Sequence, residues 1–282
     1  MKLRIATCTV LPEPDVDEAP LAAALAAAGF DAALVAWDDP AADWDAPIPT
    51  ILRSTWNYPL ELDRFLAWID HLSGPLFNPA AVVHANVHKR YLLELAARGV
   101  PTVPTMLVER GATCALPDAR IVIKPEVGAA SLDTHVFAAG DPAAAAHLAH
   151  LTARGAALVQ PYLASVDDYG ERSIVMIDGE LSHAIRKTPR FVGDAERVTG
   201  PFPIADDERA VATAALAPYG DLLYGRVDMA RDAAGQPLVM ELELVEPSLF
   251  FPWCPGAAER FARALARRLT GTRSAPAPDP SA

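Results

Sequence analysis

The segment Gln236 to Leu244, QPLVMELEL, constrains this chain more than any other stretch. Its alternation has the period of a β-strand, so Met240, Leu242 and Leu244 fall on one face and Glu241 and Glu243 on the other. The turn-forming DAAG joins it to YGRVDMARD, where Val227 and Met229 repeat the apolar face and Asp228 joins the acidic one. A hairpin here gathers three carboxylates. Such groups repel one another unless a cation lies between them, and ligands made only of oxygen suit a hard ion such as Mg²⁺. Without a cation, the same pattern reads as a solvated edge whose acids pair with arginine.

The rest of the chain narrows the choice. At 282 residues the length suggests about two domains. Hydrophobic residues make 51% and charged residues 21%, which excludes wholesale disorder. A net charge of −12 opposes a phosphate backbone or an anionic membrane, so neither nucleic acid nor a membrane is an expected partner. Cys8, Cys114 and Cys254 stand far apart with no CxxC, which fits reduced thiols in the cytoplasm. The apolar run behind Lys2 and Arg4 breaks at Pro12, too soon for a signal peptide, and the Ala-rich stretch Pro20 to Trp37 reads as helix, turn and strand. Only four lysines occur, Lys2, Lys89, Lys124 and Lys187.

The first 80 or so residues alternate strand and helix. LRIATCT, DAALVAW and TILRS read as strands, and Glu18 to Ala28 as a helix closed by Gly29. No GxGxxG follows the first strand, which disfavours a dinucleotide. From Asn86 the pattern becomes a helix at His88 to Arg98, the strands PTVPTMLVE and IVIKP, a helix between Asp141 and Arg154, and the strand ALVQPYL, which runs into a connector expected to be a hinge. A hairpin follows, ERSIVMI and ELSHAIRK, turning at Asp178-Gly179 as a type I′ turn would. Helices at Asp206 to Ala217 and Ala257 to Leu269 flank the acidic hairpin. The expected divisions are 1–85, a Rossmann-like substrate domain; 86–165, a central lobe; 166–270, a lobe with the metal site; and 271–282, a frayed tail.

Lys124 ends a buried-looking strand and EVGAAS follows, small residues whose backbone N–H groups can approach phosphate oxygens while an ammonium acts as a point charge. Lys89 opens a helix and Lys187 ends a hairpin, so three of the four lysines fall where a phosphate would want them.

In this order, NVHKRYLLELAARGVPTVPT, IVIKPEVGAAS, LVQPYL, RVDMARD and MELELVEPSL resemble the ATP-grasp superfamily over roughly residues 76 to 255. The likeness is greatest to the glutathione-synthetase and RimK-like branch, and within it to the cyclo-ligases of cycloserine biosynthesis, which close O-ureidoserine into a ring. The resemblance implies an α/β and α+β architecture, a Rossmann-like N-terminal domain and two lobes clamping ATP. It matches Lys89 and Lys124 to the nucleotide-binding lysines and Gly128, Ala129, Ala130 and Ser131 to the flap over the phosphates. It further matches Gln160, Pro161, Tyr162 and Leu163 to the adenine hinge, with Asp168 or Glu171 for the ribose. Asp228, Glu241 and Glu243 match the metal ligands, for two Mg²⁺ ions bridged by Glu241, with Mn²⁺ as an alternative. Lys187, with Arg186 as the alternative, matches the cation facing the transferred phosphoryl group, and Arg226 joins the catalytic set. Many relatives carry Asn where Glu243 stands, and the loop TPRFVGDAERVTGPFP differs from the loops of the cyclo-ligases.

RSTWNYP ends a strand and enters a loop. There Arg53 is expected to hold a substrate carboxylate, and Trp56, Asn57 and Tyr58 to shape its pocket, the bland alternative being interdomain packing. The expected activity is ATP- and Mg²⁺-dependent C–N bond formation on a small amino-acid-like substrate, through an acyl phosphate, and a homodimeric assembly is compatible with it. The competing readings are a silent nucleotide-binding regulatory module and a kinase-like phosphotransferase.

Overall fold

The computed structural model describes residues 1–129, 131–188 and 197–271. Ala130, half of the divergent loop (189–196) and nearly all of the expected tail lie outside the described residues.

The N-terminal sheet is parallel, with strand order β2-β1-β3-β4, built from β1 (Lys2–Thr7), β2 (Asp31–Ala36), β3 (Thr50–Ser54) and β4 (Leu76–Phe77). Helix α1 (Glu18–Ala27) crosses from β1 to β2 and ends at Gly29, whose φ of +82° is open to a residue without a Cβ. Helix α2 (Leu62–His71) packs Phe65 and Trp68 against Trp37 and Tyr58, an aromatic cluster under one face of the sheet.

The second sheet is antiparallel, in the order β5-β8-β6-β7, from β5 (Met106–Val108), β6 (Ile121–Pro125), β7 (His135–Phe137) and β8 (Ala157–Pro161). Ile121 and Ile123 pack into the core shared with Leu148 of the helix Pro142–Thr152. Alternation then puts Val122 and Lys124 on the other face, where both line the cleft.

The third sheet, also antiparallel, runs β11-β10-β9-β12-β13, from β9 (Glu171–Ile177), β10 (Glu180–Thr188), β11 (Arg197–Phe202), β12 (Tyr224–Arg231) and β13 (Pro237–Glu243). The β9–β10 turn has positive φ at both Asp178 and Gly179, 55° and 82°, as a type I′ turn requires. Strand β13 is an edge strand, yet its backbone is not left open. Asn86 donates to Leu242 O (2.9 Å) and accepts from Leu244 N (2.8 Å), Tyr91 Oη accepts from Leu242 N (3.0 Å), and Val239 bonds the backbone of Pro101 and Val103. These contacts cover the edge and fix the acidic strand in place.

Two sequence expectations need correction. Met240 does not share the buried face with Leu242 and Leu244: the β12–β13 register shifts between Asp228 and Met229, so Met229 faces Val239, and Met240 is bulged toward the cleft. The helix expected from His88 is shorter, covering Tyr91–Ala97, and Lys89 lies in the turn before it with its N–H bonded to Glu126 O at 3.0 Å. Strands β4, β7 and β11 are too short, or too rich in Gly, Pro and Thr, to announce themselves by alternation.

Candidate active site

A deep cleft opens between the two antiparallel sheets and is closed at one end by the N-terminal domain. Its floor is the β12–β13 hairpin. Asp228 pairs in register with Glu241, and Arg226 with Glu243, which sets two acids and an acid–base pair side by side.

Each acid there holds a cation from another element. Lys124 Nζ, at the end of β6, donates to Glu241 Oε1 at 2.7 Å. Lys187 Nζ, from β10, donates to Asp228 Oδ2 at 2.8 Å and also pairs with Glu171 of β9. Arg226 grips Asp228 with Nε (2.9 Å) and Nη2 (2.9 Å), reaches Glu243 with Nη2, and donates from Nη1 to Ser248 O at 3.0 Å. Asp228 is 1% exposed. Its burial disfavours charge, but Arg226 and Lys187 overcome this and hold it far below the usual carboxylate range. Glu241, likewise buried but beside Lys124 and near Lys89, is lowered to about 2. Burial outweighs the attraction of Lys187 at Glu171, which rises to about 7, and Glu243 is also raised, burial outweighing Arg226.

The hard-oxygen donors suit a divalent cation at Glu241 and Glu243, whose side chains are 28% and 30% exposed toward the cleft. Asp228 sits behind them with its oxygens given to Arg226 and Lys187. Among the described residues no three acidic, His or Cys side chains converge as a ready ligand set. The lysine and arginine contacts occupy the acids instead, and these contacts turn on flexible side chains.

Around this floor the sequence-derived residues divide. Lys89 Nζ donates to Gly128 O at 2.5 Å, and Gly128, Ala129 and Ser131 line the cleft, Ser131 with a φ of 58°. Gln160, Pro161, Tyr162 and Leu163 line it at the end of β8, where Gln160 Nε2 bonds Thr105 Oγ1 (2.8 Å) and the Arg120 guanidinium lies 3.6 Å over the Tyr162 ring. Trp56 and Tyr58, from the N-terminal domain, line it as well. Outside the lining are Asp168, at the exposed end of a short helical turn, and Arg186, whose guanidinium lies 5.8 Å from the Phe202 ring. Arg53 and Asn57 are outside it as well. Asn57 bridges Trp37 and Asp38 at 2.7 Å each, and Arg53, 1% exposed, pairs with buried Asp17 at 3.1 Å. Strand β3 directs Arg53 beneath the loop rather than into the cleft.

Sequence reasoning passed over Glu246, Glu126 and the two strapping asparagines. Glu126 accepts from Arg90 and faces His88 at 3.5 Å, which hold it at about 2 against its burial, behind the flap. The acid directly after Lys124-Pro125 was the available signal. Asn78 and Asn86 gave none, since their bonds reach strands more than 140 residues away.

A parallel N-terminal sheet set against two antiparallel sheets, with lysines and carboxylates converging between them, defines an ATP-grasp ligase, an enzyme that spends ATP to join carbon to nitrogen. The fold matches that of D-alanine–D-alanine ligase from Bacillus anthracis complexed with ATP, with a TM-score of 0.69 at 14% identity over 96% of this chain and 97% of that one. Residues 3–78 match the family described as the N-terminal domain of D-cycloserine synthetase DcsG. The cycloserine biosynthesis protein DcsG of Streptomyces lavendulae is 37% identical over 95% of this chain and 98% of its own. The crystal structure of D-cycloserine synthetase DcsG superposes with a TM-score of 0.86 at 34% identity, over 95% of this chain and 100% of that one. The chain belongs to the DcsG family of ATP-grasp ligases.

Proposed function

We propose that this ligase closes O-ureidoserine, or a near analogue, into a five-membered ring. The observation that carries the reading is that the likeness to DcsG runs through residues 3–78, the domain that brings Trp56 and Tyr58 to the cleft. Its chemistry follows from the site. Lys89 and Lys124 bind the phosphates beneath the Gly128–Ser131 flap, and the backbone of Gln160 to Leu163 frames the base, with Glu171 the nearer acid for the ribose. The substrate carboxylate attacks the γ-phosphorus and ADP leaves. The substrate's own nitrogen then attacks the acyl phosphate carbon, loses its proton, and inorganic phosphate departs. Lys187 and Arg226 face the phosphoryl group in transit and stabilise charge as it develops, without any protein nucleophile. Glu241 and Glu243, with Asp228 behind them, would hold Mg²⁺, which supplies charge neutralisation on the phosphates. Cys8, Cys114 and Cys254 are all unpaired, in keeping with a reducing cytoplasm, and no helix among the described residues is long and apolar enough to cross a membrane.

The test is ADP release with ATP, Mg²⁺ and O-ureidoserine, with mass spectrometry of the product. A cyclic product formed with one ADP per turnover is expected. ADP release only when a second amine is added, with a linear amide as product, would replace ring closure by intermolecular ligation.

A further inference from the structure

The cleft contains one carboxylate that the chemistry above does not use. Glu246 lies three residues beyond β13, half-buried, with its side chain facing the cleft. Its backbone is pinned to the N-terminal domain, since Trp56 Nε1 donates to Glu246 O at 3.0 Å. Other acids lining the cleft already have partners: Glu171 has Lys187, Glu241 has Lys124, Glu243 has Arg226, and Glu13 is engaged too. Among the described residues no cation pairs with Glu246. Burial, joined by the charge of Glu243, pushes it up to about 8, the condition of a carboxylate without a counter-ion.

A proton or a cation brought by a ligand can satisfy such a group. The surroundings favour the ligand. Trp56 and Tyr58 line the cleft close to Glu246, and aromatic faces suit an organic ammonium better than a strongly hydrated metal ion. Arg226 and Lys89, the cations assigned above to the phosphates, both act on Glu246 electrostatically, so a zwitterion with its carboxylate toward them turns its ammonium to Glu246. That orientation is also the one the reaction needs, because the carboxylate must meet the phosphoryl group.

We propose that Glu246 receives the α-ammonium of the amino-acid substrate and thereby sets which end of the molecule is activated. The inference rests on the ligase reading above. It separates this enzyme's substrates into those with and without a primary ammonium, a distinction that nucleotide-binding residues cannot make.

The experiment titrates O-ureidoserine, and its counterpart lacking the α-amino group, into protein saturated with Mg²⁺ and a non-hydrolysable ATP analogue, following tryptophan fluorescence. Wild type should bind the amino compound ten- to a hundredfold more tightly than the counterpart, as loss of a charge-assisted contact implies. Glu246→Gln should bind both equally weakly while its affinity for the ATP analogue stays unchanged. Glu246→Asp should recover part of the preference. If Glu246→Gln keeps the wild-type preference, Glu246 is a neutral acid or a bystander and the proposal is overturned. Equal binding of the two compounds by wild type overturns it as well. The ring-closure reading fails by a different result, tight binding of O-ureidoserine with no cyclic product from ATP, which leaves the ammonium site standing.

Discussion

Two buried arginine–aspartate pairs, built from the same groups, behave oppositely. Arg53 and Asp17 are 1% and 0% exposed, and the Asp17 oxygens also accept the backbone N–H groups of Leu249, Phe250 and Phe251. Its carboxylate is saturated and sealed; burial still pushes Asp17 above its ordinary range, against the pull of Arg53. Arg53 Nε and Nη1, by contrast, meet no acceptor. Arg226 and Asp228 are nearly as deeply buried, at 7% and 1% exposed, but Lys187 joins them and Arg226 continues to Glu243 and Ser248 at the cleft. The first pair spends its charge on a loop, the second on an opening where phosphate and metal would arrive. A buried ion pair thus reveals a function through the groups beyond the pair, since burial and charge are alike in both.

The sharpest break in the comparison should come from the cleft. Glu241→Gln keeps the shape and removes the charge, so turnover should fall by on the order of a hundred- to a thousandfold, with the melting temperature nearly kept. Turnover with O-ureidoserine at the wild-type rate would move Glu241 to the same class as Asp17. The reverse signature is expected from Asp17→Ala. It strands a buried guanidinium and three backbone donors, a loss of about 3–5 kcal/mol that should lower the melting temperature by roughly 10 °C. Nucleotide affinity in the surviving folded protein should be unchanged. An intact melting temperature with weakened substrate binding would place Asp17 and Arg53 with the cleft residues after all.

The loop that Asp17 holds by its N–H groups is held from the other side by His183, whose Nε2 lies 2.9 Å from Leu249 O while Nδ1 meets Ser182 Oγ at 2.8 Å. Burial lowers His183 to about 4. Because the folded value is below the ordinary 6.5, the neutral ring's contribution is complete above about pH 6.5. It is lost as the pH falls from there toward 4, by up to about 3 kcal/mol at 1.36 kcal/mol per pKa unit. Urea midpoints measured at pH 7 and pH 4.5 should therefore differ less in His183→Gln than in wild type. Parallel curves for the two proteins would remove His183 from this loop's support.

Much of the cleft was legible because strand alternation and lysine scarcity are local signals. The acidic hairpin, the small residues Gly128, Ala129 and Ser131 and the strand end at Gln160, all of which reach the cleft, each stood out within ten residues. Arg53 misled for a related reason: a strand of five residues, all buried, carries no alternation from which to tell cleft from core. Its partner Asp17 lies 36 residues earlier and the loop it holds nearly 200 later, so no spacing rule could join them. Met240 was misplaced because a bulge shifts the strand's period by one, and a bulge leaves no mark in an otherwise perfect alternation. Glu246 escaped notice since the strand ends before it, where periodicity no longer says which way a side chain points.

The smallest expected effect lies where the two regions meet. Trp56 belongs to the N-terminal domain but bonds Glu246 O in the cleft, partly exposed, so it is neither sealed like Asp17 nor charged like Asp228. Trp56→Phe keeps an aromatic wall and deletes one N–H donor, a change of about 1 kcal/mol. Roughly a fivefold rise in the substrate KM should follow, with kcat and the KM for ATP preserved, because the bond fixes the backbone that carries Glu246 and touches nothing on the nucleotide side. A fall in melting temperature of several degrees with no change in KM would assign Trp56 to interdomain packing. A fall in kcat with KM unchanged would instead mean that the 246 backbone moves in the chemical step, and would bring the domain boundary into the catalytic half of the comparison.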